Sequence, residues 1–413
     1  MAVTWMACYA PFFSGNRVPG AAIRYVSTGP DIMKKDNLRR TLLLAILGSI
    51  SLLPLLVLPV MVGSFVDHLA LSNSEAGYVA SVGFLGGALA AIYISLRIHH
   101  VNFRRLAIIG LGLLILSDGI CIAAEQLPVW IFVALRFLAG VGGVAAYASV
   151  MGSFAGWREP ARAYGLFMSV QFFLSALGLF GLPWLLPETG VSGLFAAFAL
   201  LDVAALFLVV QLPGSKERKG VGSDSPLEWR VIVAKTSLLC LLGIGLFEAS
   251  GMASFTYAER IGISFGLEGS EAGLVLGVSV MLGVPAAFGV FLLGTRFGMY
   301  LPILVTTVLQ SGALLILLTG PGELKYLMSM CIMSMGWGFA LPYFQAIEAQ
   351  IDPGGSVVVA GGFATSFGGF LGPAVAAALV SPGSYSGMII AAVAGYVGVM
   401  ILMHRVTARM SGK

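Results

Sequence analysis

Charge is what this chain lacks most. Only 10% of its 413 residues are Asp, Glu, Lys or Arg, while 58% are hydrophobic. Soluble domains carry about 25% charged residues, so a soluble globular protein is excluded. Cysteine is sparse and scattered: Cys8, Cys121, Cys240 and Cys331 have neither metal-ligand spacing nor the layout of a disulfide framework, and read as small core residues. The four histidines, His68, His99, His100 and His404, fall at predicted loops or helix ends. No His-Glu-x-x-His, phosphate-binding loop or catalytic-triad pattern occurs. An enzyme, a metal site and a resident cofactor are therefore not expected. The net charge of +4 does not point to nucleic acid, because the basic residues sit between apolar stretches and not on one face.

What the chain has is long apolar runs. They reach about 20 residues or more, enough to cross a hydrocarbon core roughly 30 Å thick. The 54 glycines suit closely packed membrane helices, whose backbones approach where side chains are small. The lipid bilayer is thus the expected surroundings. Twelve spans are predicted, near 41–64, 75–96, 106–124, 129–151, 163–185 and 192–212, then 236–258, 272–294, 301–319, 326–347, 356–380 and 386–404.

The chain also repeats itself. Ser74-Glu75-Ala76-Gly77 recurs as Ser270-Glu271-Ala272-Gly273, 196 positions later, and ten of the 21 residues in Leu71–Ala91 are identical at that offset. The same offset pairs Gly140 with Gly336, Gly142 with Gly338, Tyr147 with Tyr343, Gly165 with Gly361 and Phe167 with Phe363, with no gap. This is an internal duplication. Six spans per copy is an even number, so the two copies run parallel about an axis along the membrane normal. The tetrapeptide reads mainly as a helix start, with Ser74 or Ser270 as cap and Glu75 or Glu271 at the positive end of the helix dipole; a gating role is the lesser alternative.

Orientation follows from Lys and Arg. With the N-terminus inside, twenty of them fall on interior segments and two, Arg260 and Lys325, outside; Arg136 lies within a span. Both termini are expected to be cytoplasmic, in a cell (inner) membrane. The expected organisation is a tail at 1–34, a six-helix bundle at 35–212, a cytoplasmic linker at 213–234, a second bundle at 235–408 and a tail at 409–413. The first stretch lacks a signal-peptide layout, and Met33-Lys34-Lys35 reads as a natural start; 1–32 is either untranslated or a disordered tail.

At the fourth span, Leu135-Arg136-Phe137-Leu138-Ala139-Gly140-Val141-Gly142 resembles the fourth-helix motif of the major facilitator superfamily: Arg, three residues, Gly, one residue, Gly. In the eleventh span Gly368-Gly369-Phe370-Leu371-Gly372-Pro373 resembles that superfamily's Gly-x-x-x-Gly-Pro motif, which drug/proton antiporters carry in the fifth helix. Here the fifth span has Gly178-Leu179-Phe180-Gly181-Leu182-Pro183, where Leu182 breaks the pattern. The superfamily's cytoplasmic gate motif is eroded. Arg104 and Arg105 keep its basic pair between spans two and three, and Arg296 and Gly298 keep part of it between spans eight and nine, with Thr295 in place of Asp. The resemblance covers about 35–410. It implies a twelve-helix fold of two parallel six-helix bundles in which spans one, four, seven and ten line a central cavity.

Ionisable groups within spans cost roughly 2.5–3.5 kcal/mol or more to insert, and so are functional candidates. Arg136 and Asp118 lie at similar depth on adjacent spans, so an ion pair would relieve both. Either the pair is static, or Arg136 faces the cavity as a counter-ion; the resemblance favours the second, since it links this Arg to proton coupling. Glu248, near the middle of span seven, is the sharper candidate for proton coupling or substrate contact, with a buried structural role as the alternative. Asp202, mid-span six, reads as a structural partner. Glu259, Glu348 and Asp352 read as ordinary solvated positions near the span ends. Candidate cavity side chains are Tyr147, Gln171, Trp337, Tyr343 and Gln345, with Tyr147 and Tyr343 set by the duplication to flank one ligand or to pack as core. Met328, Met330, Met333 and Met335 read as adaptable filler. The expectation is a monomeric secondary transporter for a small amphipathic or aromatic organic solute, working by alternating access and driven by a proton gradient. An organic anion becomes the better fit if Arg136 is free of Asp118. The rival readings are an uncoupled facilitator and a transport-inactive sensor or assembly protein on the same fold.

Overall fold

A computed structural model describes residues 35–411, except 98–100, 156–159, 214–228, 294–295, 353–355 and 382. The expectations for 1–32, His99, His100, Thr295 and most of the linker lie outside the described residues. Among the described residues the regular structure is helical, with one isolated bridge between Ser381 and Ser384. Nine helices there are long and apolar enough to cross a membrane by length and composition.

Span one is broken into Lys35–Ile50, Leu53–Leu56 and Leu58–His68. Each later piece carries a proline in its first two positions, Pro54 and Pro59. A proline has no N–H to give the preceding turn, so it starts a helix and does not continue one. Span two is Asn73–Arg97, span three Phe103–Cys121 and span four Val129–Ala155. Spans five and six are one helical run, Pro160–Leu208, which reverses at Gly190, where φ is 61°. Only glycine takes that conformation without strain. After a short turn at Trp229–Ile232, span seven is Lys235–Thr256 with a distal extension Ala258–Ser264. Span eight is Gly269–Met281 and Gly283–Leu293, span nine Tyr300–Leu317, span ten Glu323–Ile351, span eleven Ser356–Leu379 and span twelve Ser386–Ser411.

Packing follows the duplication. Span three packs on four and span two on four; likewise nine packs on ten and eight on ten. The two halves meet mainly where span two packs on eleven and span five on eight. A two-fold that maps span two onto eight also maps eleven onto five, so these are two copies of one interface. The outer surface is apolar: Phe207, Trp130 and Leu200 are each more than 70% exposed. In water such a surface would aggregate; in lipid it is already solvated.

The repeated glycines allow close helix approach, but not against equivalent neighbours. A Cβ at Gly140 would strike the carbonyl of Gly83 in span two, and one at Gly142 would lie 2.5 Å from the carbonyl of Gly110 in span three. Their copies turn the other way: Gly336 faces Gln310 of span nine and Gly338 faces Gly283 of span eight. Gly372 does the same work between spans eleven and seven, its Cβ position lying 2.9 Å from the amide nitrogen of Ala253, with Pro373 next to it inside the helix.

The tetrapeptide is a helix start, with the cap shifted. In the first copy Ser72, not Ser74, accepts the amide of Glu75, and the Glu75 carboxylate accepts the amide and hydroxyl of Ser72. In the second copy Glu271 closes the same box with Glu268. Ser74 is released for another task.

Candidate functional site

A cavity of about 160 Å³ lies between the halves at mid-depth. Spans one, two, four and five supply one wall, and spans seven to eleven the other. Its lining is largely apolar, with Leu52, Phe84, Phe172, Met252 and Met333 among the contributors. The rings of Phe172 and Trp337, one from each half, meet edge-on with centroids 6.3 Å apart. Glu248 projects here from span seven and is only 3% exposed. Its two carboxylate oxygens accept the indole N–H of Trp337 at 3.1 and 3.3 Å. No Lys, Arg or His is among the described residues lining the cavity. A carboxylate in so apolar a place is relieved of its desolvation cost by a proton or by a cation brought from outside.

Toward the face opposite Lys35 and Ser411, the distal face, three links hold the halves together over the cavity. Ser74 donates to the carbonyl of Ala377, and Tyr257 donates to that of Asn73 at 2.7 Å. Arg260 makes a forked ion pair with Asp67, its Nη1 donating to Oδ1 at 2.8 Å and its Nη2 pairing with Oδ2. Each of these links joins one half to the other, and all three lie at the distal end. Gly63 and Gly77 permit the approach: a Cβ on Gly63 would strike the Glu259 carboxylate, and one on Gly77 the Tyr257 hydroxyl. Glu259, expected to be solvated, is instead 4% exposed. It sits just beyond the end of span seven, and burial pushes its carboxyl up to about 8, against the opposing pull of Arg260.

Arg136 and Asp118 form the expected pair, and Arg136 does not line the central cavity. Arg136 is 3% exposed and pairs with Asp118, which is fully buried. It also reaches Cys121 Sγ at 3.4 Å and lies over the Phe195 ring, 4.4 Å from its centroid. Asp202 of span six is buried close enough to Asp118 and Arg136 to interact with both charges. This triad ties spans three, four and six inside the first half. Arg136 borders a small void of about 30 Å³ within that half.

Of the expected cavity side chains, Gln171 and Trp337 line it. Tyr147 and Tyr343 do not: Tyr147 is buried against Phe167, and Tyr343 against Phe339, each inside its own half. Gln345 is also buried off the cavity. Tyrosine on a cavity-facing span can still turn to the helix's inner side, which depth alone does not reveal. The expected gate residues act elsewhere. Arg104 donates to the carbonyls of Val210 and Leu212 at 3.0 and 2.8 Å, capping the end of span six, as Arg40 does through Gln211. Arg105 and Arg296 are exposed, and Gly298 takes a φ of 70° in a turn. Met330 and Met333, read as filler, line the cavity.

One cavity residue was missed, and two carboxylates were misread as solvated. Gln310 of span nine lines the cavity and donates to the Met333 carbonyl at 3.1 Å. Its signal was a lone amide in an apolar span. Glu348, read as solvated, is 1% exposed and buried against Gly361 and Cys240. Asp352 is buried too, and its carboxylate accepts the amide of Val357 at 3.1 Å.

The model of the Major Facilitator Superfamily matches residues 41–377. The chain belongs to that superfamily. Among solved structures, the nucleoside transporter NupG is similar with a TM-score of 0.71 and 12% identity, over 89% of this chain and 98% of that one. A single-substitution mutant of NupG gives a TM-score of 0.72 and 13% identity, over 89% and 99%. No curated protein matches. At this identity the likeness speaks to fold: two parallel six-helix bundles about a central cavity. The protein is a multi-pass membrane transporter of this superfamily, takes a small-molecule substrate, and is not an enzyme.

Proposed function

We propose that this protein is a secondary active transporter that moves a small amphipathic or aromatic organic solute by alternating access, coupled to protons through Glu248. On this reading it works as a monomer in the cell (inner) membrane with both termini cytoplasmic, and the distal face is the outer one. The observation that carries the reading is the Glu248 carboxylate, buried in an apolar cavity between the halves with Trp337 as its hydrogen-bond partner. Opening the cavity to alternate faces changes the water around that carboxylate, and with it its proton affinity. The Phe172–Trp337 pair gives an aromatic solute a contact from each half.

The test is reconstitution into vesicles that hold a pH-sensitive dye, challenged with a panel of organic cations, anions, neutral aromatics and nucleosides. Nucleosides belong in the panel because NupG is a nucleoside transporter. A solute that moves protons with it, and loses that coupling in Glu248→Gln, supports the proposal. Transport indifferent to pH and potential would make this a facilitator, and a Glu248→Gln variant that still couples would remove Glu248 from the mechanism.

A further inference from the structure

The hydrogen-bonding atoms of the cavity are nearly all acceptors. Ser254 and Ser279 donate their hydroxyl protons to the carbonyls of Ser250 and Leu276, at 3.1 and 2.8 Å. Thr365 and Ser366 donate to Gly361 and Gly362, at 3.0 and 3.1 Å. Ser175 donates to Leu56 at 2.9 Å. A hydroxyl has one proton and two lone pairs. With the proton committed to its own scaffold, each keeps only acceptor capacity for a ligand.

The same holds for the larger groups. The Met333 carbonyl can only accept, so the amide nitrogen of Gln310 must face it, which leaves Gln310 Oε1 buried without a partner. The indole N–H of Trp337 is committed to Glu248, whose oxygens accept. Among the described lining side chains, the donors left to offer are the amide of Gln171, the second amide hydrogen of Gln310 and the Ser334 hydroxyl, which lies 3.5 Å from that of Ser279. A ligand that brings acceptors would leave both its own and the cavity's lone pairs unpaired, and each buried unpaired group weakens binding. A ligand that brings N–H donors and positive charge satisfies them.

We infer that the transported solute is an organic cation bearing N–H donors on an apolar or aromatic body, an ammonium or guanidinium whose charged head takes the place of the proton on Glu248. This rests on the transporter reading above and names its substrate class. The head binds the Glu248 carboxylate, the surrounding hydroxyl and amide oxygens take the remaining N–H groups, and the body lies against Phe172 and the methionines. Because cation and proton share one carboxylate, binding one expels the other, and a single group both selects and couples.

Among the described residues lining the cavity, none besides Glu248 carries a charge. Span eleven, packed closely against span seven, carries no titratable residue between Ser356 and Leu379. Span twelve supplies Tyr396, fully buried and near enough to feel the Glu248 charge. Span ten carries Glu323, Lys325 and Tyr326 toward the distal face, with the Lys325 amine donating to the exposed Thr319 hydroxyl, and Tyr343 and Glu348 toward the other face. Cys331, also on span ten, and Asp67 and His68, at the distal end of span one, lie outside the cavity lining.

The test is equilibrium binding to the purified full chain, by titration calorimetry in buffers of different ionisation enthalpy. Three probes share one phenylethyl body: 2-phenylethylguanidinium, N,N,N-trimethyl-2-phenylethylammonium and 2-phenylethylurea. The guanidinium carries charge and donors, the quaternary ion charge alone, the urea donors without charge. The expected result is guanidinium binding at least about ten-fold tighter than either analogue, since one satisfied charged hydrogen bond contributes about 1.5–3 kcal/mol. Affinity should rise by up to about ten-fold per pH unit while Glu248 is protonated, with about one proton released per cation bound. Glu248→Gln, checked for an unchanged unfolding midpoint, should lose both the affinity and the proton release. Thr365→Val, which keeps shape and removes lone pairs, should narrow the gap between guanidinium and quaternary ion.

Equal binding of the three probes, binding of none, or unaltered guanidinium binding by Glu248→Gln would overturn the inference. If a nucleoside or an anion instead proves to move with protons in vesicles, this inference fails while coupled transport stands. If transport is indifferent to pH, the coupled reading itself has failed.

Discussion

Replacing Gly77 with Ala should loosen the distal seal while leaving each half intact. Both neighbours of the added methyl belong to the opposite half. It would overlap the Tyr257 hydroxyl and lie 2.9 Å from the Ala377 Cβ, well inside the ordinary carbon contact of about 3.5–4.0 Å. Neither can yield without parting the halves or turning Tyr257 away from the Asn73 carbonyl it now reaches at 2.7 Å. Overpacking costs about 1–3 kcal/mol and the lost hydrogen bond about 0.5–1.5 kcal/mol. Taken as about 2–4 kcal/mol together, this shifts the balance between closed and open distal faces by roughly 30- to 1,000-fold. The measurement is a spin–spin distance between labels on distal loops of the two halves, at Gln126→Cys and Glu323→Cys, both exposed. Cys8 and Cys331 are changed to Ser; Cys121 and Cys240 are buried. Gly77→Ala should move the distribution to longer distances, whereas Gly119→Ala, with nothing near its added methyl, should not. An unchanged distribution in a normally stable Gly77→Ala protein would refute the claim that this glycine sets the seal.

Arg136→Ala should destabilise the protein by about 3–5 kcal/mol, because it strands the buried carboxyls of Asp118 and Asp202; thermal unfolding reads this, and Arg136→Met with Asp118→Leu should recover much of the loss. Glu259 binds its proton more tightly in the closed state than in water, so closure is favoured at low pH and weakens as pH rises from about 4.5 through about 8. The same label pair should lengthen over that window, and in Glu259→Gln it should not respond to pH there. Asp67→Asn, which removes the charge from the forked pair with Arg260, should also lengthen it, by less than Gly77→Ala, since the pair is half exposed and such pairs contribute about 1 kcal/mol or less.

The architecture was legible before any coordinates. Long apolar runs cross lipid as helices, and a duplication with an even number of spans makes the halves parallel. The place of Glu248 was legible for the same reason: a carboxylate in the middle of an apolar span has to be kept from lipid. So was the Arg136–Asp118 pair, because matched depth on adjacent spans is countable from sequence. Rotation about the helix axis is not countable in this way. A residue's depth is set by the 1.5 Å rise per residue, but the face it presents depends on how neighbouring helices lean and which glycines let them in. That is why Arg136 turned inward to Asp202 and Phe195, why Tyr147 and Tyr343 packed as core, and why repeated glycines met different neighbours. Distance between segments remote in sequence is also invisible in one dimension. The distal seal of Arg260 on Asp67, Tyr257 on Asn73 and Ser74 on Ala377, and the commitment of each cavity hydroxyl to a carbonyl, exist only once the chain has folded. The sequence by itself determined which groups the membrane must hide; the tertiary structure decided which of them face one another.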